Sequence, residues 1–270
     1  MRRLLASLAA TVVLTGCTSS APDPDPSTEQ SASSPAPAPT ETTPPAPGPT
    51  PEVGECHALT FRQALAVVGR TAPVPCRRRH TAQTYAVGTL DLTTKSGFTR
   101  RVDSSAAQRQ MRTTCTARLP RHLGTTPREL RLSMVRAVWF TPSPARAEAG
   151  ADWFRCDVVA VGSPRQLLSL PRRTKGWAAP AMCATSAPGT KGFDRVACSR
   201  PHAWRAVATV DIPGRRLPRA AVVADRMDPV CRDAAADAAE DPLDFSWSQE
   251  SPTRQQWAAG QRYGICWVPD

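Results

Sequence analysis

Two residue types able to do chemistry, a cysteine and a histidine, recur at the same spacing in two places. Three residues separate Cys76 from His80, and three separate Cys198 from His202. Each pair precedes a run with the alternating pattern of a half-buried strand. Thiolate and imidazole groups together can bind zinc, and an imidazole can also act as a general base. The spacing is therefore open to three interpretations: a metal site, a catalytic site or a structural corner.

The partners that metal or acid–base chemistry needs are missing. A histidine acting as a base needs a nucleophile and an orienting group, and no Gly-x-Ser-x-Gly, His-Glu-x-x-His or paired-carboxylate motif occurs. No Cys-x-x-Cys pair occurs either, although such pairs are typical of zinc sites and redox-active thiols. We therefore expect His80 and His202 to be structural histidines that hydrogen-bond the backbone, with no metal, no cofactor and no enzymatic activity. His57 and His122 have no counterparts, and we expect them at the surface.

Eight of the nine cysteines form two sets of four with similar spacing. Four cysteines allow three pairings, and the sequence does not choose among them rigorously. We favour disulfides between cysteines that are consecutive in each set: Cys56–Cys76, Cys115–Cys156, Cys183–Cys198 and Cys231–Cys266. The first pair of each set would close a short loop before a strand, and the second would join a helix to the final strand. Each closure contributes about 3–4 kcal/mol of stability.

Hydrophobic periodicity predicts the elements that position these cysteines. Each half is expected to contain two strands, one main helix and two further strands. Ser104–Leu119 is predicted to be helical with Cys115 on its apolar stripe, and Pro218–Glu240 to be a helix that Pro229 kinks or restarts. The predicted class is α+β, with two tandem small disulfide-stabilised domains after a disordered Pro-rich stalk. Each domain is predicted to be an antiparallel sheet with one main helix.

The amino terminus predicts export and lipidation. Two arginines precede the apolar run Leu4–Leu14, which is too short to cross a membrane and is typical of a secretion signal. The run ends in Leu14-Thr15-Gly16-Cys17, which resembles the bacterial lipobox. That resemblance implies cleavage before Cys17 and acylation of its thiol with palmitate or a similar chain. We expect residues 1–16 to be a lipoprotein signal peptide and the protein to be anchored on the extracytoplasmic face of the cell membrane.

Composition and charge divide the remaining chain. Residues 17–52, rich in Pro, Ser and Thr, are predicted to be the lipidated cysteine and a disordered stalk. Residues 53–170 form a basic first repeat with 18 basic and 7 acidic side chains. Residues 171–180 are predicted to be a linker, and residues 181–270 a neutral second repeat with 11 basic and 11 acidic side chains.

The order of cysteines and histidines resembles the septum-formation domain of exported and membrane-anchored actinobacterial proteins. Val53–Cys56 and Val74–His80 match its pattern in the first half, and Val196–His202 and Trp257–Cys266 match it in the second. The resemblance implies two tandem copies and a cell-envelope role linked to division, with no enzymatic chemistry to transfer.

The chain departs from the pattern of that family at three positions, and its second repeat also lacks the Gly-acid pair expected before Cys183. The family tends to have an acidic residue three positions after each histidine, where this chain has Gln83 and Arg205, and a proline where it has Arg79. Any function that depends on that carboxylate is therefore not expected here.

The function we expect is a non-catalytic binding or scaffolding role in division or envelope maintenance. Arg77, Arg78 and Arg79 are candidate anion-binding residues, because arginine suits phosphate and carboxylate groups. The expected partners are the membrane, through the lipid anchor, and an envelope protein, an anionic lipid or a wall polymer, but not nucleic acid. The alternatives are an envelope hydrolase or transferase that uses His80 or His202, and a lipoprotein that senses a ligand or metal.

Overall fold

A computed structural model describes residues 46–97 and 99–270. The signal peptide of residues 1–16, Cys17 and most of the stalk of residues 17–52 lie outside the described residues, so their assignments stay predictions. The described residues before and after Phe98 belong to one compact unit. No helix in the described ranges is long and apolar enough to cross a membrane.

The first half, residues 53–170, is built on one antiparallel sheet. Its strands are β1 (Cys56–His57), β2 (Ala82–Thr89), β3 (Val135–Phe140), β4 (Trp153–Ser163) and β5 (Gln166–Leu167). Its helices are α1 (Phe61–Ala64), α2 (Ser105–Leu123), α3 (Pro127–Arg131) and α4 (Pro144–Glu148). The strand order is β1-β2-β4-β3, and β5 pairs with β4.

The second half has the same kind of architecture. Its strands are β6 (Met182–Ala184), β7 (Arg195–Ala197), β8 (Trp204–Asp211), β9 (Ser248–Glu250) and β10 (Tyr263–Pro269). Its helices are α5 (Ala220–Ala238) and α6 (Arg254–Ala258), and its strand order is β7-β6-β8-β10-β9. The predicted α+β class with antiparallel sheets is confirmed, whereas the division into two tandem domains stays a prediction.

Helix α2 is capped at both ends, whereas α5 has no side-chain cap at its first turn. The Ser104 hydroxyl accepts a hydrogen bond from the backbone N–H of Ala107, which caps α2, and Gly124 ends that helix with a positive φ of 72°. Helix α5 continues through Pro229, where the sequence predicted a kink or a restart. Pro229 is exposed, so the carbonyl group that its ring leaves unpaired can be hydrated.

Four disulfides join these elements in the predicted pairs, and their Cα–Cα distances run from 4.9 to 5.4 Å. Cys115 on α2 is bonded to Cys156 on β4, and Cys231 on α5 is bonded to Cys266 on β10. These four sulfur-bearing residues are fully buried. In each half a disulfide therefore fixes the main helix to the sheet through the centre of the core.

The two halves share part of their core. Met134 of the first half lies in one buried cluster with Met182, Ile265 and Trp267 of the second. The backbone N–H of Met134 donates to Pro180 at 2.8 Å, and that of Met182 donates to Leu132 at 2.9 Å. Side chains and main chain together hold the halves in contact.

Candidate functional site

His80 lies at the corner between the Cys56–Cys76 loop and β2, and only 1 % of it is exposed. Its Nδ1 atom is 2.9 Å from the carbonyl oxygen of Arg78, and its Nε2 atom is 3.1 Å from that of Pro171. Both ring nitrogens are therefore occupied by backbone groups. A neutral ring carries one N–H group and so donates to one of these two oxygens; contacts of this kind with the backbone are those expected of a structural histidine.

His202 has the same place in the second half but a different second partner. Its Nδ1 atom is 2.6 Å from the Arg200 carbonyl oxygen, and its Nε2 atom is 2.7 Å from a carboxylate oxygen of Asp270. The Arg200 carbonyl and then Asp270 raise the pKa of His202 above its usual value. The other Asp270 oxygen is 2.9 Å from Nε of Arg205. Arg205 and His202 thus share one carboxylate.

Gln83, which stands where the resembled family tends to have an acidic residue, fixes the segment predicted to be a linker. Its side-chain oxygen accepts hydrogen bonds from the backbone N–H and the hydroxyl of Thr174, at 2.8 and 2.6 Å. Its side-chain nitrogen donates to the Arg172 carbonyl at 3.1 Å. Thr174 is fully buried. An amide both donates and accepts, so it can hold a backbone segment as a carboxylate cannot.

The three candidate anion-binding arginines differ in their contacts. Arg77, Arg78 and Arg79 are all exposed. Nε of Arg79 donates to the Ser169 hydroxyl at 2.8 Å, which ties this side chain to the protein. In the part of the chain that the structure describes, no ion pair involves Arg77 or Arg78. These two guanidinium groups are therefore available to an external anion.

A cleft of about 590 Å³ lies beside this run and was missed by the sequence analysis. Cys76 and His122 line it, together with three cations from residues 171–180, namely Arg172, Arg173 and Lys175. These three side chains are exposed, and no acidic residue is among the described residues that line the cleft. The charge run was visible in the sequence, but its packing against the first half was not.

The two groups of cations lie close to each other along the chain's contacts: Cys76, which precedes Arg77, lines the cleft, and His80 contacts Pro171. We call the two groups together the basic face, which consists of Arg77, Arg78, Arg172, Arg173 and Lys175. Exposed guanidinium groups present paired N–H donors that match the oxygens of phosphate and carboxylate groups.

Of the two histidines without counterparts, His57 departs from the surface location predicted for it, whereas His122 is partly exposed. His57 is fully buried, so its prediction was wrong. Burial, followed by the charge of Arg155, lowers the pKa of His57 to about 4, and a neutral ring tolerates such a position. His122 is half-buried, 5.3 Å from the ring of Tyr85, and its Nε2 atom is 2.9 Å from the Thr174 hydroxyl.

One group in the described residues has the composition of a metal site. Potential ligand atoms of Cys183, Cys198 and His202 lie within 4.8 Å of one another. The two sulfur atoms are bonded to each other, and both ring nitrogens face oxygen atoms. While the disulfide is intact, this group cannot supply two thiolates to a zinc ion.

Comparison with known proteins gives the chain its family. No curated protein and no solved structure matches it. A family model described as septum formation matches residues 53–266, which include both disulfide-bonded halves and the basic face. The chain therefore belongs to the septum formation family.

Proposed function

We propose that this protein is a lipid-anchored, non-catalytic component of the cell envelope that binds a phosphate-bearing partner during septum formation. The observation that supports this most directly is the basic face, which gathers five exposed cations from two separate segments. Membership of the septum formation family supports a role related to cell division. The two halves would act as tandem repeats on the extracytoplasmic side of the membrane.

Phosphate is the chemistry shared by the expected partners. Anionic lipid headgroups and phosphate-bearing wall polymers are both within reach of a protein anchored through Cys17. A fully extended stalk of residues 17–52 would place the folded part up to about 100 Å from the membrane. A cation near an anionic surface contributes about 1 kcal/mol to binding, so five together provide a substantial attraction.

The contacts of the histidines favour binding over catalysis. The ring nitrogens of His80 both face backbone oxygens, and those of His202 face a carbonyl and a carboxylate. A hydrolase or transferase using either residue would first have to break these hydrogen bonds. The histidines are better suited to holding the corner beside each disulfide.

The test is co-sedimentation of the chain, prepared without its signal peptide and without lipid on Cys17, with vesicles of phosphatidylglycerol or of phosphatidylcholine, and with soluble polyphosphate as a competitor. The test variant is Arg172→Gln with Arg173→Gln, which removes two cations of the basic face. The matched control is Arg215→Gln with Arg216→Gln, another adjacent exposed pair with the same change in charge.

We expect the test variant to lose about 30-fold in affinity for anionic vesicles, which corresponds to about 2 kcal/mol for two cations. The control should lose less than about 3-fold, since it lies outside the basic face. Stronger competition by polyphosphate than by phosphatidylglycerol vesicles would identify a polymer as the partner. Equal losses in the two variants would show that only net charge matters and would refute the proposal.

A further inference from the structure

A second cavity lies in the first half, away from the basic face. Its volume is about 510 Å³, and the segment between α1 and β2 forms much of its wall. Leu59, Val68 and Phe140 make its lining largely apolar, while Arg70 and Arg155 contribute positive charge. No acidic residue lines it. A cavity of this size and character suits a small organic molecule.

Arg155 brings an unpaired donor to this cavity. Only 4 % of the residue is exposed, yet neither its Nη2 atom nor its Nε atom has a hydrogen-bond partner among the described residues. The guanidinium carbon lies 4.8 Å from the centre of the Phe140 ring, and Nε lies 3.2 Å from a carboxylate oxygen of Asp157. A Cβ atom on Gly69, which also lines the cavity, would lie 3.6 Å from Nη2, which places this nitrogen on the side of the guanidinium that faces the cavity wall. Buried donors normally have partners, and this one points to a missing acceptor.

The architecture itself does not require a charge at this position. Arg155 and Asp157 flank Cys156 on β4, whereas Ile265 and Trp267 flank the equivalent disulfide cysteine on β10. Both residues on β10 are fully buried. Apolar side chains often replace a buried ion pair with no loss of stability. Strand β10 of the second half therefore shows that the strand beside the disulfide can be built with apolar residues at both positions.

From this contrast we propose that Arg155 and the surrounding cavity bind a small organic carboxylate with an apolar body. The unpaired Nη2 donor would bind the carboxylate, and the apolar wall would cover the body of the molecule. Asp157 already supplies one negative charge beside the guanidinium, which favours a monoanion over a doubly charged phosphate. The site is separate from the basic face, and its occupation does not depend on the proposed function.

The probe is hexanoate, and its matched control is hexan-1-ol, which has the same chain length without the carboxylate. Binding to the full-length chain is followed through the ¹⁵Nε resonance of Arg155, which reports on the guanidinium itself. Hexanoate should shift this resonance saturably and bind at least 10-fold more tightly than hexan-1-ol, since a hydrogen bond to a charged group is worth about 1.5–3 kcal/mol.

Two variants remove the site in different ways. Arg155→Met with Asp157→Leu removes the ion pair as a unit and should weaken hexanoate binding about 10-fold or more. Ala66→Phe places a ring at the lining while leaving the ion pair intact, and should also abolish saturable binding. Arg128→Gln removes an exposed arginine outside the cavity and should bind hexanoate like the unaltered protein.

Three results would overturn the proposal: equal affinity for hexanoate and hexan-1-ol, an Arg155 resonance that does not respond, or unchanged binding in the Ala66→Phe variant. If the double variant does not fold, the Ala66→Phe variant and the Arg155 resonance still show whether hexanoate binds in this cavity. Loss of hexanoate binding with unchanged vesicle binding would separate this site from the basic face.

Discussion

Replacing only Arg155 with methionine should destabilise the protein strongly at neutral pH. The Asp157 carboxylate is fully buried, and burial raises its pKa to about 6 even though Arg155 acts to lower it. The substitution removes the nearby cation, whose contact with Asp157 is an ion pair without a hydrogen bond. It leaves the hydrogen bond that the Thr84 hydroxyl donates to this carboxylate at 2.8 Å. Breaking a buried ion pair in this way costs about 3–5 kcal/mol.

The pH dependence gives this prediction its sign. The folded-state pKa of Asp157 is raised above the unfolded value of 3.8. The corresponding stability is complete below about pH 4 and is lost as the pH rises through about 6. Without Arg155 the pKa of this carboxyl should rise further, so the loss extends to higher pH. The Arg155→Met variant should therefore be much less stable than the unaltered protein at pH 7.5, and the difference in stability should become small at pH 5.

The double variant Arg155→Met with Asp157→Leu is the decisive comparison. It replaces both charged residues with apolar ones, like the residues Ile265 and Trp267 at the corresponding places on β10. Its free energy of unfolding should be within about 1 kcal/mol of that of the unaltered protein. Urea unfolding followed by tryptophan fluorescence, with the disulfides intact, measures all three proteins. With a slope of about 2 kcal/mol per molar urea, the single variant should unfold about 2 M earlier. A double variant as unstable as the single one would refute the reasoning, because the pair would then stabilise the fold itself.

Three further outcomes are expected. Limited reduction followed by alkylation and mass spectrometry should label the half-exposed Cys76 and Cys198 before any cysteine of the two buried disulfides; simultaneous labelling of all eight would contradict this. An NMR titration should find the pKa of His202 above 6.5, and Asp270→Asn should lower it, whereas an unchanged value would show that the carboxylate is not its partner. Because burial lowers the pKa of His57 to about 4, its stability contribution is complete above pH 6.5 and is lost on acidification towards pH 4. Between pH 6.5 and 4, the free energy of unfolding measured with urea should fall less for His57→Gln than for the unaltered protein. If the two proteins lose the same free energy over this pH interval, His57 makes no such contribution.

The features that the sequence could predict depend on order and periodicity along the chain. The favoured disulfide pairs were chosen, among three pairings for each set, from where each cysteine falls relative to a loop, helix or final strand, and the structure has these pairs. The stripe on α2 was visible because Met111 and Cys115 are four residues apart, and both are fully buried. Such signals are local, so tertiary packing did not overrule them.

The features that it could not predict depend on contacts between distant segments. Thr174 is buried, and it donates hydrogen bonds to Gln83, which precedes it by 91 residues. Nothing in its neighbours marks residues 171–180 as part of a surface on the first half. Arg155 and Asp157 alternate with buried residues on β4, as polar residues on a wet face would, yet this strand is covered on both sides.

The contrast between the halves indicates where function should be sought. Both halves have the same disulfide arrangement, a histidine at the same corner and one main helix. These features therefore serve the fold in the basic half and in the neutral half alike. The basic face and the buried Arg155 occur in the first half and the segment packed on it, and the apolar pair on β10 shows that the architecture is compatible with a strand that lacks such charge. The two proposals assign this charge, which lies on a surface in one place and against a cavity in the other, to two separate ligands. Because the two groups of residues do not overlap, a variant of one should leave binding at the other unchanged.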